Sequence, residues 1–189
     1  MNILMTCASG GIIINDIKDL KQNFPNSKVF AVDQNPKKNL VKHCDKFIKV
    51  PNGDSKNYIN KILKLCKAHN ISIIIPRSDE EAISLSKNKK KLEKIGIKIP
   101  INHFSKLKVL NDKIQTYKKL NKFLNFKLRW EVIKNYKEIY KIKNFLIKNK
   151  YCVIKPSVSR GGRNIFHLSN NSTHAKQRRE TITDYQTFK

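Results

Sequence analysis

The apolar positions of the first hundred residues switch repeatedly between two periods. Residues 2–8 form a short apolar run closed by Gly10-Gly11. Ile12, Ile13, Ile17, Leu20 and Phe24 then recur at the spacing of one helix face, which Pro25-Asn26 ends. Lys28 to Asp33 reads as a second strand, and Asn35-Pro36 opens a short helix toward Cys44. Residues 46–50 make a strand stopped by Pro51-Asn52-Gly53, after which Asp54 or Ser55 can cap a helix bearing Tyr58, Ile62, Leu65 and Cys66. The run 71–75 is almost wholly β-branched and bounded by Pro76, as in a strand buried on both faces. Ser78-x-x-Glu81 is a capping box for a helix carrying Ile83, Leu85 and Leu92; Gly96 stops it, and 97–101 is strand-like again.

This alternation predicts an α/β fold, a Rossmann-like parallel sheet with helices on both sides. Ligands of such sheets gather beyond the carboxyl ends of the strands. Gly10, Gly11, Asp33, Asp79 and Glu80 occupy those ends and are the substrate-side candidates. For Gly10-Gly11 a tight βα turn is an equally good explanation. The segment Ser9-Gly10-Gly11-Ile12-Ile13-Ile14 also lacks the third glycine of a dinucleotide fingerprint. Glu81 is accounted for by the capping box, and acids in a first turn suit the helix dipole.

Past residue 102 the pattern changes, so 1–102 is expected to be one domain and 103–168 a small α+β subdomain. Asn111-Asp112-Lys113 starts a helix with Tyr117, Leu120 and Phe123. Residues 128–133 are strand-like, and Asn135 caps a helix through Ile139, Ile142, Phe145, Leu146 and Lys150. An apolar strand, Tyr151 to Lys155, then runs into a loop containing Ser159, Arg160, Gly161, Gly162 and Arg163, and residues 164–168 form the return strand. Apolar periodicity vanishes over 169–189, where disorder or loose packing is expected.

Composition narrows the possible functions. The chain of 189 residues carries 40 Lys+Arg against 14 Asp+Glu, a net charge of +26. Lysine dominates and is spread along the whole chain, as a compositional bias would produce, so a nucleic-acid partner is not expected and an anionic small molecule is. No apolar run approaches the roughly 20 residues of a membrane span. The N-terminus lacks a secretory leader's basic and long apolar regions. A cytoplasmic location is expected. Cys7, Cys44, Cys66 and Cys152 show no metal or redox spacing and read as free thiols.

The loop after Lys155 has the composition of a phosphate-binding flap. Glycines allow close backbone approach and positive φ; lysine is a point charge, and arginine a fork, for phosphate oxygens. A hairpin with a Gly-Gly turn would use the same residues.

The order of these elements resembles the ATP-grasp superfamily, and most nearly carboxylate–amine ligases such as the large subunit of carbamoyl-phosphate synthetase. Three segments carry the resemblance: the opening α/β unit through Ile74-Ile75-Pro76-Arg77-Ser78-Asp79-Glu80-Glu81, the Asp112-Lys113 helix, and Val153-Ile154-Lys155-Pro156 leading into Ser159 to Ile165. It implies that Lys113 and Lys155 contact ATP phosphates under the flap, with Ser159, Arg160, Gly161, Gly162 and Arg163 contributing. It further implies that ATP and Mg²⁺ activate a small carboxylate as an acyl phosphate for attack by an amine. The family flap has a further glycine where this chain has Asn164, a residue that tolerates the left-handed conformation. The family's Mg²⁺ ligands lie in a segment with no counterpart here. The resemblance therefore implies the N-terminal portion of such an enzyme, inactive alone or dependent on a separate chain for the rest. Two other readings stay open: a non-catalytic nucleotide-binding module, and a basic nucleic-acid-binding α/β protein.

Overall fold

The structure, a computed structural model, describes residues 1–10, 12–159, 161, 163–169, 175–177 and 180–183. The chain folds as two compact units, Met1–Lys108 and Val109–Lys189.

The first unit is a parallel sheet of β1 (Asn2–Met5), β2 (Lys28–Asp33), β3 (Lys46–Lys49) and β4 (Ile73–Ile75), in the order β3-β2-β1-β4. Its connections hold α1 (Ile13–Asn23), α2 (Lys38–Val41) and α3 (Tyr58–Ala68); α4 (Asp79–Lys87) and α5 (Lys89–Glu93) follow β4. The pleat sends alternate side chains to opposite faces. Ile3, Met5, Val29 and Ala31 pack with Ile13 and Ile17 of α1, whereas Leu4, Phe30 and Val32 pack with Tyr58, Ile62 and Leu85 of α3 and α4. The sheet is thus covered on both faces, as its uninterrupted apolar strands require. Its strand order reverses at β1, so the carboxyl ends of β1 and β4 form the topological switch point.

Local details depart from the sequence pattern. Residues 97–101 make only one bridge, Ile73 to Lys98. Ser55 caps the turn before α3 rather than the helix itself, its Oγ accepting the Asn57 N–H at 3.3 Å. The first unit also runs past residue 102. Ser86 donates to the Asn102 carbonyl (2.8 Å), Lys89 to that of Ile101 (2.7 Å), and the Lys87 ammonium lies 5.0 Å from the Phe104 ring. The division falls within α6 (Phe104–Asn111), a helix with no buried residue and no clear apolar period to announce it.

The second unit contains α7 (Lys113–Leu120), a 3-10 turn (Tyr136–Glu138), α8 (Tyr140–Asn149), β5 (Tyr151–Ile154), β6 (Ile165–Ser169), β7 (Ala175–Gln177) and β8 (Glu180–Thr183). Its sheet has the order β5-β6-β8-β7, with β6 and β8 parallel and the other pairs antiparallel. Ile142 and Leu146 of α8 pack on Leu168, Cys152 and Ile154. Lys150, at φ 60°, ends α8. Backbone pairing continues into 175–177 and 180–183, part of the stretch whose composition suggested no packing. Residues 128–133 form no strand and pair with none among the described residues. Side chains serve this segment instead: Asn121 Oδ1 accepts the Leu128 N–H (3.1 Å), and Lys141 Nζ donates to the Val132 carbonyl (3.4 Å).

Candidate functional site

The second unit organises its cations around α7. Asp112 is the N-cap, Oδ1 accepting the N–H groups of Ile114 (2.9 Å) and Gln115 (3.3 Å). That carboxylate offsets the poor placement of Lys113 at the positive end of the helix. Lys113 is tied twice to the segment after β5. Its N–H donates to the Ser157 carbonyl (2.8 Å), and its ammonium to the Ser159 carbonyl (3.1 Å). From the end of β5, Lys155 extends its ammonium to the Tyr117 hydroxyl. Among the described residues neither lysine has a carboxylate in salt-bridge reach. Their positive charge is held by neutral oxygen acceptors.

Both lysines line one cavity of about 570 Å³, with Tyr117, Trp130, Ile142 and Val153 among its walls. Tyr117 and Trp130 meet in a tilted ring contact, centroids 5.8 Å apart and planes at 57°. An aromatic and aliphatic wall with Lys113, Lys155 and Arg129 among its cations fits a phosphorylated ligand having a flat apolar part, and the volume suits a small molecule. Lys141 also lines the cavity, but it is paired with Glu138 (3.0 Å) and Glu131 (3.9 Å). Among the described residues no group of three or more His, Cys, Asp or Glu could hold a metal.

Of the expected flap residues, Ser159 engages Lys113 through its carbonyl, Gly161 has φ 60°, and Arg163 is exposed. Arg160 and Gly162 lie outside the described residues. Asn164 has φ 55°, the left-handed backbone expected where a glycine is the alternative.

At the switch point of the first unit the expected residues have different tasks. Gly10 is exposed and accepts the Ile13 N–H (3.3 Å), forming the turn into α1; Gly11 lies outside the described residues. Asp33 is buried and committed to loop bonds, accepting the N–H groups of Ser9 and Asn35, both at 2.9 Å. Asp79 is exposed and Glu80 half-buried in the first turn of α4.

Glu81 does more than close a capping box. Ser78 Oγ accepts its N–H (3.4 Å) and donates to its Oε2 (3.0 Å). The carboxylate then crosses to β1, accepting from the Thr6 hydroxyl (2.6 Å) and the Cys7 N–H (3.3 Å). Burial pushes the Glu81 carboxyl above its ordinary value; the Thr6 and Ser78 hydroxyls and the Cys7 amide pull it down, and the Asp33 charge adds to the rise. Burial also lifts the Tyr58 phenol far up, with the Glu81 charge contributing. Thr6 and Tyr58 have no separate signal in the sequence. Only the pairing of β1 with β4 brings Thr6 to Glu81.

All four cysteines are free thiols. Burial pushes Cys66 up to about 12 and Cys152 up to about 11, which makes them poor nucleophiles.

Residues 3–100 match the family described as PylC-like, N-terminal domain. No curated protein matches the chain. Solved structures of similar fold include the biotin carboxylase from Campylobacter jejuni in a β-γ-ATP complex (TM-score 0.60, 15% identity, 89% of this chain and 38% of that one). Another is the biotin carboxylase domain of Hydrogenobacter thermophilus 2-oxoglutarate carboxylase with MgADP, ADP and bicarbonate (0.58, 17%, 87% and 36%). A third is Staphylococcus aureus N5-carboxyaminoimidazole synthetase with ADP (0.57, 16%, 84% and 39%). The chain shares its fold with part of each of these enzymes and spans less than two-fifths of their length.

Proposed function

The chain belongs to the PylC-like N-terminal-domain family, and from that premise we propose that it forms the phosphate-gripping portion of an ATP-grasp ligase. The ligase activates a small carboxylate with ATP and joins it to an amine. The observation that supports this reading most is the pair of lysines, Lys113 and Lys155, lining one cavity with no carboxylate in salt-bridge reach among the described residues.

The chemistry needs such a pair. A carboxylate oxygen attacks the γ-phosphorus of ATP, the bond to the bridging oxygen breaks, and ADP leaves. The acyl phosphate then gains a bond from the amine nitrogen to its carbonyl carbon. It loses inorganic phosphate, and the nitrogen gives up a proton. Phosphoryl transfer is governed largely by positioning and charge neutralisation, which Lys113 and Lys155 would supply at the phosphate oxygens. The loop from Ser159 to Arg163 would cover the phosphates and keep water from the acyl phosphate. Gly10 and Asp79, exposed at the strand ends of the first unit, are the candidates for contact with the substrate. When bound, Mg²⁺ would screen phosphate charge; among the described residues no cluster of three or more His, Cys, Asp or Glu would hold it. No helix among the described residues is long and apolar enough to cross a membrane. A cytoplasmic location, where ATP is abundant, fits the proposed reaction.

Trp130, the only tryptophan, lines the cavity and reports on it. In a fluorescence titration ATP should bind at least about tenfold more tightly than adenosine, and Lys155→Met should remove about that preference. Equal affinity for ATP and adenosine, or full ATP affinity in Lys155→Met, would overturn the reading.

A further inference from the structure

A lysine with an exposed head samples many rotamers, and holding it in one costs entropy when a ligand binds. Lys155 is exposed on the loop side of β5, yet its ammonium has a fixed partner, the Tyr117 hydroxyl. The ammonium lies 5.0 Å from the Tyr117 ring centroid. A cation hydrogen-bonded to the phenol oxygen at that distance stands beyond the hydroxyl rather than over the ring face. The contact is therefore a directional hydrogen bond and not a cation–π stack.

Tyr117 is itself supported. It lies one helical turn from Lys113 on α7, so one helix face carries both residues. Its ring packs against Trp130, which lines the same cavity. The phenol is also a suitable acceptor: a carboxylate here would cancel the lysine's charge, whereas a neutral oxygen takes one N–H and leaves two for a ligand.

We propose that Tyr117 is a positioning residue that aims the Lys155 ammonium at the phosphates of the bound nucleotide, braced by Trp130. This rests on the reading of Lys155 as a phosphate ligand. α7 would then organise both cations, presenting Lys113 directly and steering Lys155 through the phenol.

A double-mutant cycle in the full chain tests this, with ATP affinity measured calorimetrically and urea midpoints followed in parallel. Tyr117→Phe keeps the ring contact with Trp130 and removes only the acceptor; it should weaken ATP binding roughly fivefold to tenfold. In a Lys155→Met background the same change should alter affinity by less than about twofold, because a positioning residue acts only through its partner. Tyr117→Leu repeats the cycle without the ring, should the phenylalanine variant fold poorly. Wild-type affinity in Tyr117→Phe, or the same loss in both backgrounds, would overturn the proposal while leaving the ligase reading intact. Absence of ATP binding by the wild type, or no effect of Lys155→Met, would remove the reading and this inference with it.

Discussion

A β-carbon at Gly53 would sit 2.6 Å from Glu81 Cγ, 2.7 Å from its backbone N and 3.0 Å from its Cα. Two of those atoms are backbone at the start of α4 and cannot swing away. Gly53→Ala should therefore destabilise the first unit by about 2 kcal/mol, as overpacking of a tight contact does, and lower its urea midpoint; an unchanged midpoint would show that the turn gives way freely. The residue beneath it, Glu81, makes stability depend on pH. Its folded carboxyl lies above the ordinary 4.5, chiefly through burial, so in the interval above 4.5 the native state keeps a proton that the unfolded chain has released. The contribution is complete below 4.5 and is lost as pH rises through the folded value. Asp45 acts in the opposite sense: burial raises it, but the Val29 N–H and Lys21 more than compensate, and its contribution fades as pH falls. Comparing wild type with Glu81→Gln across this range isolates Glu81, since the variant should lose the decline with rising pH and keep the Asp45 behaviour.

At the scale of elements, α7 depends on its cap. Asp112→Ala removes the acceptor for two first-turn N–H groups and should cost about 1 kcal/mol. The urea transition reported by Trp130 measures it, and Asp112→Asn should recover most of the loss because it retains an acceptor oxygen. The Asp-Lys pairing shows how far the sequence could be read. Lysine in a first turn was locally unfavourable, and the neighbouring aspartate explains why it is tolerated. The parallel sheet was legible because strands buried on both faces show as unbroken apolar runs between helical periods. Segment 128–133 was not, because alternating apolar residues specify an extended backbone without saying whether a strand or side chains will bond to it. At the two sites, Lys113 and Lys155 stood out by type and by order along the chain. Tyr117 looked like one more apolar position on α7, and its bond to Lys155 depends on where β5 ends. Thr6 was hidden for the same reason, as only strand pairing across β1 and β4 brings it to Glu81.

Among the described residues the two units differ in how many apolar side chains they bury. The first holds two clusters, one on each face of its sheet, including the fully buried Leu4, Ile13, Tyr58, Ile62, Ile74, Leu85 and Leu92. Among the described residues the second has Ile142, Leu146 and Leu168 as its buried apolar cluster, while Phe123 is 81% and Phe126 63% exposed. Burial contributes roughly 25 cal/mol per Å² of apolar surface, so the described residues of the second unit have less to set against chain entropy. Unfolding should therefore occur in two steps. Trp130, which belongs to the second unit, should report a transition at lower urea than far-UV circular dichroism, which averages over both. Coincident transitions would mean that the units unfold as one. If the second unit grips nucleotide as proposed, ATP at a hundredfold excess over Kd should stabilise only the earlier transition, by about 2.7 kcal/mol. A shift confined to the later transition would place the nucleotide on the first unit and contradict the assignment of Lys113 and Lys155.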